Sequence, residues 1–175
     1  MAITRITSPA ITSVSSTSIS GTLPAANIND TSISNITSLP AGVGGKVLQV
    51  VESNLSSFIT TTSNSYTDTG LNVNITPSST SSKILVMVVH SGARKTTDTQ
   101  LTFKLYRDST DLGSIGNYDS GDTQQFTDTV TWSYLDSPSS ISQLNYKTQY
   151  KSSSGTIYAN SFKNTITCLE IAGWL

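Results

Sequence analysis

The residues able to do chemistry in this chain are few and scattered. Asp98, Asp108, Asp111, Asp119, Asp122, Asp128 and Asp136 cluster loosely in the second half. A pair of carboxylates can hydrolyse a glycoside, one as acid and the other as base or nucleophile. These aspartates lie mainly in polar stretches beside Gly, Ser, Thr and Asn, where Asp ordinarily closes turns through its own backbone. Asp119-Ser120-Gly121-Asp122 offers oxygens to a calcium ion but lacks the alternating Asp/Asn run and distal Glu of a calcium loop. One histidine, His90, and one cysteine, Cys168, sit in separate apolar runs. One imidazole and one thiol do not make a zinc set. The lone thiol forms no intrachain disulfide and reads as a small buried apolar group. AGVGGK imitates a phosphate loop, yet Pro40 stands where the first glycine belongs and Val47 where a Ser or Thr belongs. No catalytic, cofactor-binding or metal-binding residue is assigned.

Aromatic and cationic side chains are the remaining candidates. Tyr106, Trp132, Tyr134, Tyr146, Tyr150 and Tyr158 fall in β-type runs, which place them in a core or an interface. Tyr118 falls in a Gly/Asp-rich stretch, Gly113 to Gln125, read as the longest loop. Arg94 and Lys95 fall in a second polar loop, Gly92 to Thr99. Arg94, Lys95, Tyr118, Asp119 and Asp122 are therefore the candidates for a receptor face, with a surface glycan as the partner.

The elements that must position these residues are short β-type runs. In Leu71 to Thr76, Leu71, Val73 and Ile75 alternate with Asn72 and Asn74, which makes one buried and one wet face. Leu101 to Arg107, Phe126 to Tyr134 and Gln143 to Tyr150 alternate in the same way. Lys46 to Glu52, Ser57 to Thr62, Thr156 to Phe162 and Thr165 to Ile171 complete the set, and Asp108 to Gly113 reads as a hairpin turn. Nine or ten such strands without a helix predict an all-β jelly-roll β-sandwich over 46–175. Ser82 to His90 is the exception in pattern. It has apolar residues on both faces, Ile84, Val86 and Val88 on one, Leu85, Met87 and Val89 on the other. One sandwich interior takes one face, so Leu85, Met87 and Val89 predict contact with sister subunits. Trp174 and Leu175 join them as trimer-interface candidates, because apolar ends ordinarily fray unless tied down.

Residues 1–45 have another character. Sixteen of the first forty are Ser or Thr. Between them stand single apolar residues, Ile3, Ile6, Ile11, Val14, Ile19, Leu23, Ile28, Ile33, Ile36 and Leu39, three to five apart. That spacing fits neither a strand nor a helical face, and Pro9, Pro24 and Pro40 oppose a long helix. The expectation is an extended arm that gains order by laying these side chains into a partner. Charged residues are only 12% of the chain and the net charge is -1, with no basic stripe, so nucleic acid is not expected as a partner. No secretory leader or membrane span is expected either, since no apolar run is long enough.

GGKVLQVV, SYTDTGLNVNITPSSTSSKILVMV and NTITCLEIAGWL, with QYKSSSGTIYAN before the last strand, resemble small phage virion modules frequent in phages of marine and freshwater bacteria. GTLPAANINDTSISNITSLPAGVGG resembles the linker that precedes such modules in fibre and decoration proteins. The resemblance covers residues 40 to 175 well and the arm loosely. It implies a TNF-like or head-fibre-like jelly roll that forms a homotrimer in a virion, made in the cytoplasm of a bacterial host, and it brings no catalytic residues. Two functions follow as expectations: a capsid decoration or short head-fibre protein anchored by its arm to other virion proteins, or a tail-fibre module that binds a host-surface glycan.

Overall fold

The structure, a computed structural model, describes residues 47–95, 98–118, 126–159 and 162–172, and the side chains of all of these except Tyr118 and Phe126. Ten strands are present among them: β1 Val47–Leu55, β2 Ile59–Thr61, β3 Thr67–Ile75, β4 Lys83–Lys95, β5 Leu101–Arg107, β6 Thr110–Tyr118, β7 Phe126–Asp136, β8 Leu144–Ser152, β9 Ile157–Ala159 and β10 Asn164–Ile171. All pairings are antiparallel.

Eight strands form two facing layers. One sheet runs β1-β10-β4 with β7 on the far side of β4; the other runs β3-β8-β5-β6. Apart from the β5–β6 hairpin, neighbours in each sheet are distant in sequence, and this interleaving of two four-stranded orders is the jelly roll. The short strands β2 and β9 extend the first sheet at the far end of β4.

The layers meet over residues that alternate along each strand. Leu71, Val73 and Ile75 of β3, Leu101, Phe103 and Leu105 of β5, and Tyr146 and Tyr150 of β8 face Ile84, Val86 and Val88 of β4 and Ile166 and Cys168 of β10. Each fully buried Val, Leu, Ile or Phe contributes about 1.5–3 kcal/mol against exposure. Cys168 is part of this core, and burial pushes its thiol up to about 12.

Two loop expectations are corrected. β4 does not end at His90; a bulge between Ser91 and Ala93, with Gly92 at φ 76, lets it run on to Lys95. There it pairs with β7 on one side and β9 on the other. The second correction concerns the stretch after Arg107. Its turn is only Asp108-Ser109, with Asp108 at φ 53, and Thr110–Tyr118 is strand β6 rather than the start of a long loop. Gly116 sits in β6 because a Cβ there would lie 2.8 Å from Val130 Cγ1. Glycine thus marks close packing here, where its sequence context suggested a loop.

Candidate functional site

The outward face of the β1-β10-β4-β7 sheet carries the surplus apolar residues. Register places Val50 opposite Leu169, Leu169 opposite Leu85, and Leu85 opposite Leu135. These four make one apolar row across four strands. Val50 is 58% exposed and Leu135 54%. Beside the row stand Met87, 40% exposed, and the half-buried Val89. Leu85, Met87 and Val89 thus lie on one face, as the alternation predicts, with Val50, Leu135 and Leu169 added by strand pairing. Trp174 and Leu175 lie outside the described residues.

Arg94 stands on the same outward face of β4. Its guanidinium lies 4.4 Å over the Tyr158 ring, and the exposed Phe58 ring is 5.3 Å from Tyr158. Lys95, its neighbour, points the opposite way. It is 3% exposed, and its Nζ has no hydrogen-bond partner among the described residues. A strand sends successive side chains to opposite faces, so the two cations of the expected loop do not form one receptor surface. Tyr118 is at the end of β6; Asp119, Asp122 and the arm residues from Ile3 to Leu39 lie outside the described residues.

The outward face of the β3-β8-β5-β6 sheet is different. Its rows read Asp68–Gln149–Lys104–Ser114 and Asn72–Lys147–Tyr106–Asp111. Lys147 Nζ donates to Asp68 at 3.1 Å, Gln149 to the other Asp68 oxygen at 2.7 Å, and Asn145 to Asn72 and Asn74. Lys104 pairs with Asp111, and this contact holds the Asp111 carboxyl below its ordinary value, helped by the Gly113 N–H.

Several ionisable groups are absorbed between the layers. Asp136 of β7 accepts from Arg107 of β5 and from the Tyr146 hydroxyl of β8, each at 2.6 Å. Burial and the Asp136 carboxylate both push the Tyr146 hydroxyl far up. Glu170, wholly buried, accepts from the Ser78 N–H, the Ser78 and Ser82 hydroxyls and the Gln49 amide at 2.6–2.7 Å. Burial pushes its carboxyl up, but these donors together outweigh burial and hold it below the ordinary value. His90 stacks on Phe103 with centroids 4.5 Å apart, and its Nε2 lies 3.0 Å from the Thr148 hydroxyl. Asp136 and His90 tie sheet to sheet, and Glu170 ties the turn after β3 to β1 and β10. Among the described residues no three His, Cys, Asp or Glu side chains gather as a metal set. Sequence reasoning missed the Glu170 hub, because a glutamate in TCLEI carries no local sign of donors up to 121 residues away.

No family model matches the chain, and no curated protein matches its sequence. Solved structures do match weakly. The infectious bursal disease virus VP2 subviral particle aligns with 73% of this chain at 9% identity and a TM-score of 0.40. The structure of the Gx strain of that virus aligns with 73% at 10% identity and a TM-score of 0.35. The chain spans 34% and 39% of the lengths of those two proteins.

Proposed function

We propose that the chain is a bacteriophage virion structural protein, a capsid decoration or short head-fibre subunit that assembles as a homotrimer. The observation that carries this reading is the row Val50–Leu169–Leu85–Leu135. A sandwich working alone gains nothing by presenting Leu and Val to water on one sheet face, and such patches mark association sites. Three copies packed through this face would bury the row together with Met87 and Val89. The polar groups nearest the core support the same reading, since Asp136, Glu170 and His90 spend their bonding capacity inside the sandwich. The arm, residues 1–45, is assigned to anchoring the jelly roll, residues 46–175, on the particle through its singly spaced Ile and Leu side chains.

Copy number in purified particles tests the proposal by gel densitometry. Hundreds of copies per particle are expected; a handful would sink decoration. Removing residues 1–40 should leave a folded trimer that no longer binds particles.

A second reading, a tail-fibre module that binds a host-surface glycan, is favoured by the polar outward face of the β3-β8-β5-β6 sheet. That face stays open when the apolar face is used for assembly.

A further inference from the structure

The polar sheet face contains a depression that regular pairing would not leave. Asp68 pairs with Gln149 and Asn72 with Lys147, so Thr69, Gly70 and Leu71 of β3 stand opposite the single residue Thr148 of β8. Bulges of this kind re-aim side chains and interrupt the ladder. Here Thr69 and Leu71 are buried in the core, while Gly70 stays at the surface with φ 84 and no side chain. The lost ladder bonds are replaced locally. The Thr69 hydroxyl bonds to the Thr148 carbonyl and accepts from the Leu71 N–H, and the Asn72 amide donates to the Gly70 carbonyl. What opens on the outside is a cleft of about 220 Å³ between β3 and β8.

The chemistry of its lining selects a ligand class. Asp68 and Lys147 contribute one carboxylate and one ammonium, bonded to each other, so the cleft has no net charge. Asn72 and Asn145 contribute amides that are both donors and acceptors. An anionic ligand meets Asp68 and a cationic one meets Lys147. No aromatic ring lines the cleft to hold a flat apolar ligand. A hydroxyl group is donor and acceptor at once. It can enter the Lys147–Asp68 contact at 3.1 Å or the Asn145–Asn72 contact at 3.2 Å and leave neither partner unpaired. Adjacent hydroxyls on a ring can do both together. We propose that this cleft binds a neutral sugar residue through its ring hydroxyls. The proposal gives a ligand class to the glycan-binding reading and rests on that reading for its biological role, though the binding itself does not depend on where in the particle the protein sits.

The test uses the full 175-residue chain, labelled with ¹⁵N and titrated with the methyl glycosides of glucose, galactose, mannose and N-acetylglucosamine. At least one should shift the Gly70 backbone amide and the Asn72 and Asn145 side-chain amides, saturating in the ~1 mM range typical of a small polar ligand. Asp68→Asn and Lys147→Met should each weaken this binding about tenfold, as expected for losing a hydrogen bond to a charged group. Both positions are solvent-accessible, so an unchanged melting temperature certifies the fold. Glucuronate and glucosamine should bind more weakly than their neutral parents. The absence of any shift at these three residues would overturn the proposal. So would shifts confined to Phe58, Arg94 and Tyr158, or variants that bind as tightly as the parent. Adsorption of the labelled chain to bacterial cells is read separately. Cell binding that survives Lys147→Met while glycoside shifts are absent removes the cleft and leaves the receptor reading. Glycoside shifts without cell adsorption keep the cleft and remove the receptor reading.

Discussion

The two outward faces of the sandwich are built from the same kind of strand and end in opposite chemistry. Across four strands of one sheet the row is Val50, Leu169, Leu85, Leu135; across four strands of the other it is Asn72, Lys147, Tyr106, Asp111. Both sheets bury their inner residues on one core, so folding requires neither outward composition. A polar outward face is what an antiparallel sheet facing water ordinarily shows. The apolar one costs solubility, and the proposed assembly is what accounts for it. The difference teaches where each proposed activity is to be tested: association on the first sheet, recognition of polar ligands on the second.

The contrast exists only while the two sheets are held together, so the largest effect is expected at the tie between them. Asp136→Ala leaves the Arg107 guanidinium and the Tyr146 hydroxyl without their shared acceptor. Loss of a buried ion-pair partner costs about 3–5 kcal/mol. Chemical denaturation should show that loss for the whole unit, without a second transition. A loss below about 1 kcal/mol would mean that the two sheets do not depend on this contact, since that is the worth of an exposed pair.

Leu85→Lys comes next. It puts a charge in the centre of the apolar row without touching the core. Central interface residues cost about 2–4 kcal/mol when removed, which is roughly 30- to 1,000-fold in association constant. Sedimentation across a concentration series should show monomers of parental melting behaviour. If Leu85→Lys assembles as the parent does, the apolar row is not the seam and the contrast between faces loses its meaning.

How much of this was legible before the structure depends on the range of the interaction involved. Alternation is local, so LNVNI and KILVMVVH revealed the buried faces of β3 and β4 and the surplus face of Leu85, Met87 and Val89. Strand pairing is non-local. Val50, Leu169 and Leu135 join Leu85 only through register, and nothing in VLQVV or SYLD marks them as neighbours. The bulge at Gly70 was hidden for the same reason, because its cleft appears only when β8 lies alongside. Lys95 was misplaced because a glycine and two cations resemble a loop, whereas Gly92 bends a strand that continues. Gly113 and Gly116 misled in the same way in β6. The jelly roll itself was legible from strand count and spacing; its inter-sheet ties were not.

Glu170→Gln ranks third and tests the end of the sandwich where the turn after β3 meets β1 and β10. The folded carboxyl sits below the ordinary glutamate value of 4.5. A depressed folded value means that the unfolded chain takes up the proton first. The stabilisation is therefore complete above about pH 5 and is lost as pH falls through the folded value. Replacing the carboxylate removes charge-assisted bonds worth about 2 kcal/mol in total at neutral pH. It should also flatten the acid limb of the stability curve relative to the parent. Parallel acid limbs in parent and variant would assign the acid sensitivity to other carboxylates.

The smallest effect on stability is expected on the polar face, and its smallness is the point. Lys147→Met breaks the contact with Asp68, an exposed pair with side chains 27% and 53% accessible. Such pairs contribute about 0–1 kcal/mol, so the melting temperature should move little and trimer formation not at all. Gln149 still donates to Asp68 in the variant, which keeps the carboxylate partnered and the bulge in place. A variant that folds, assembles and yet loses glycoside binding would separate the two faces by function as they are already separated by composition. A Lys147→Met variant that dissociates instead would show that the polar face takes part in assembly, and the division of labour between the sheets would fall.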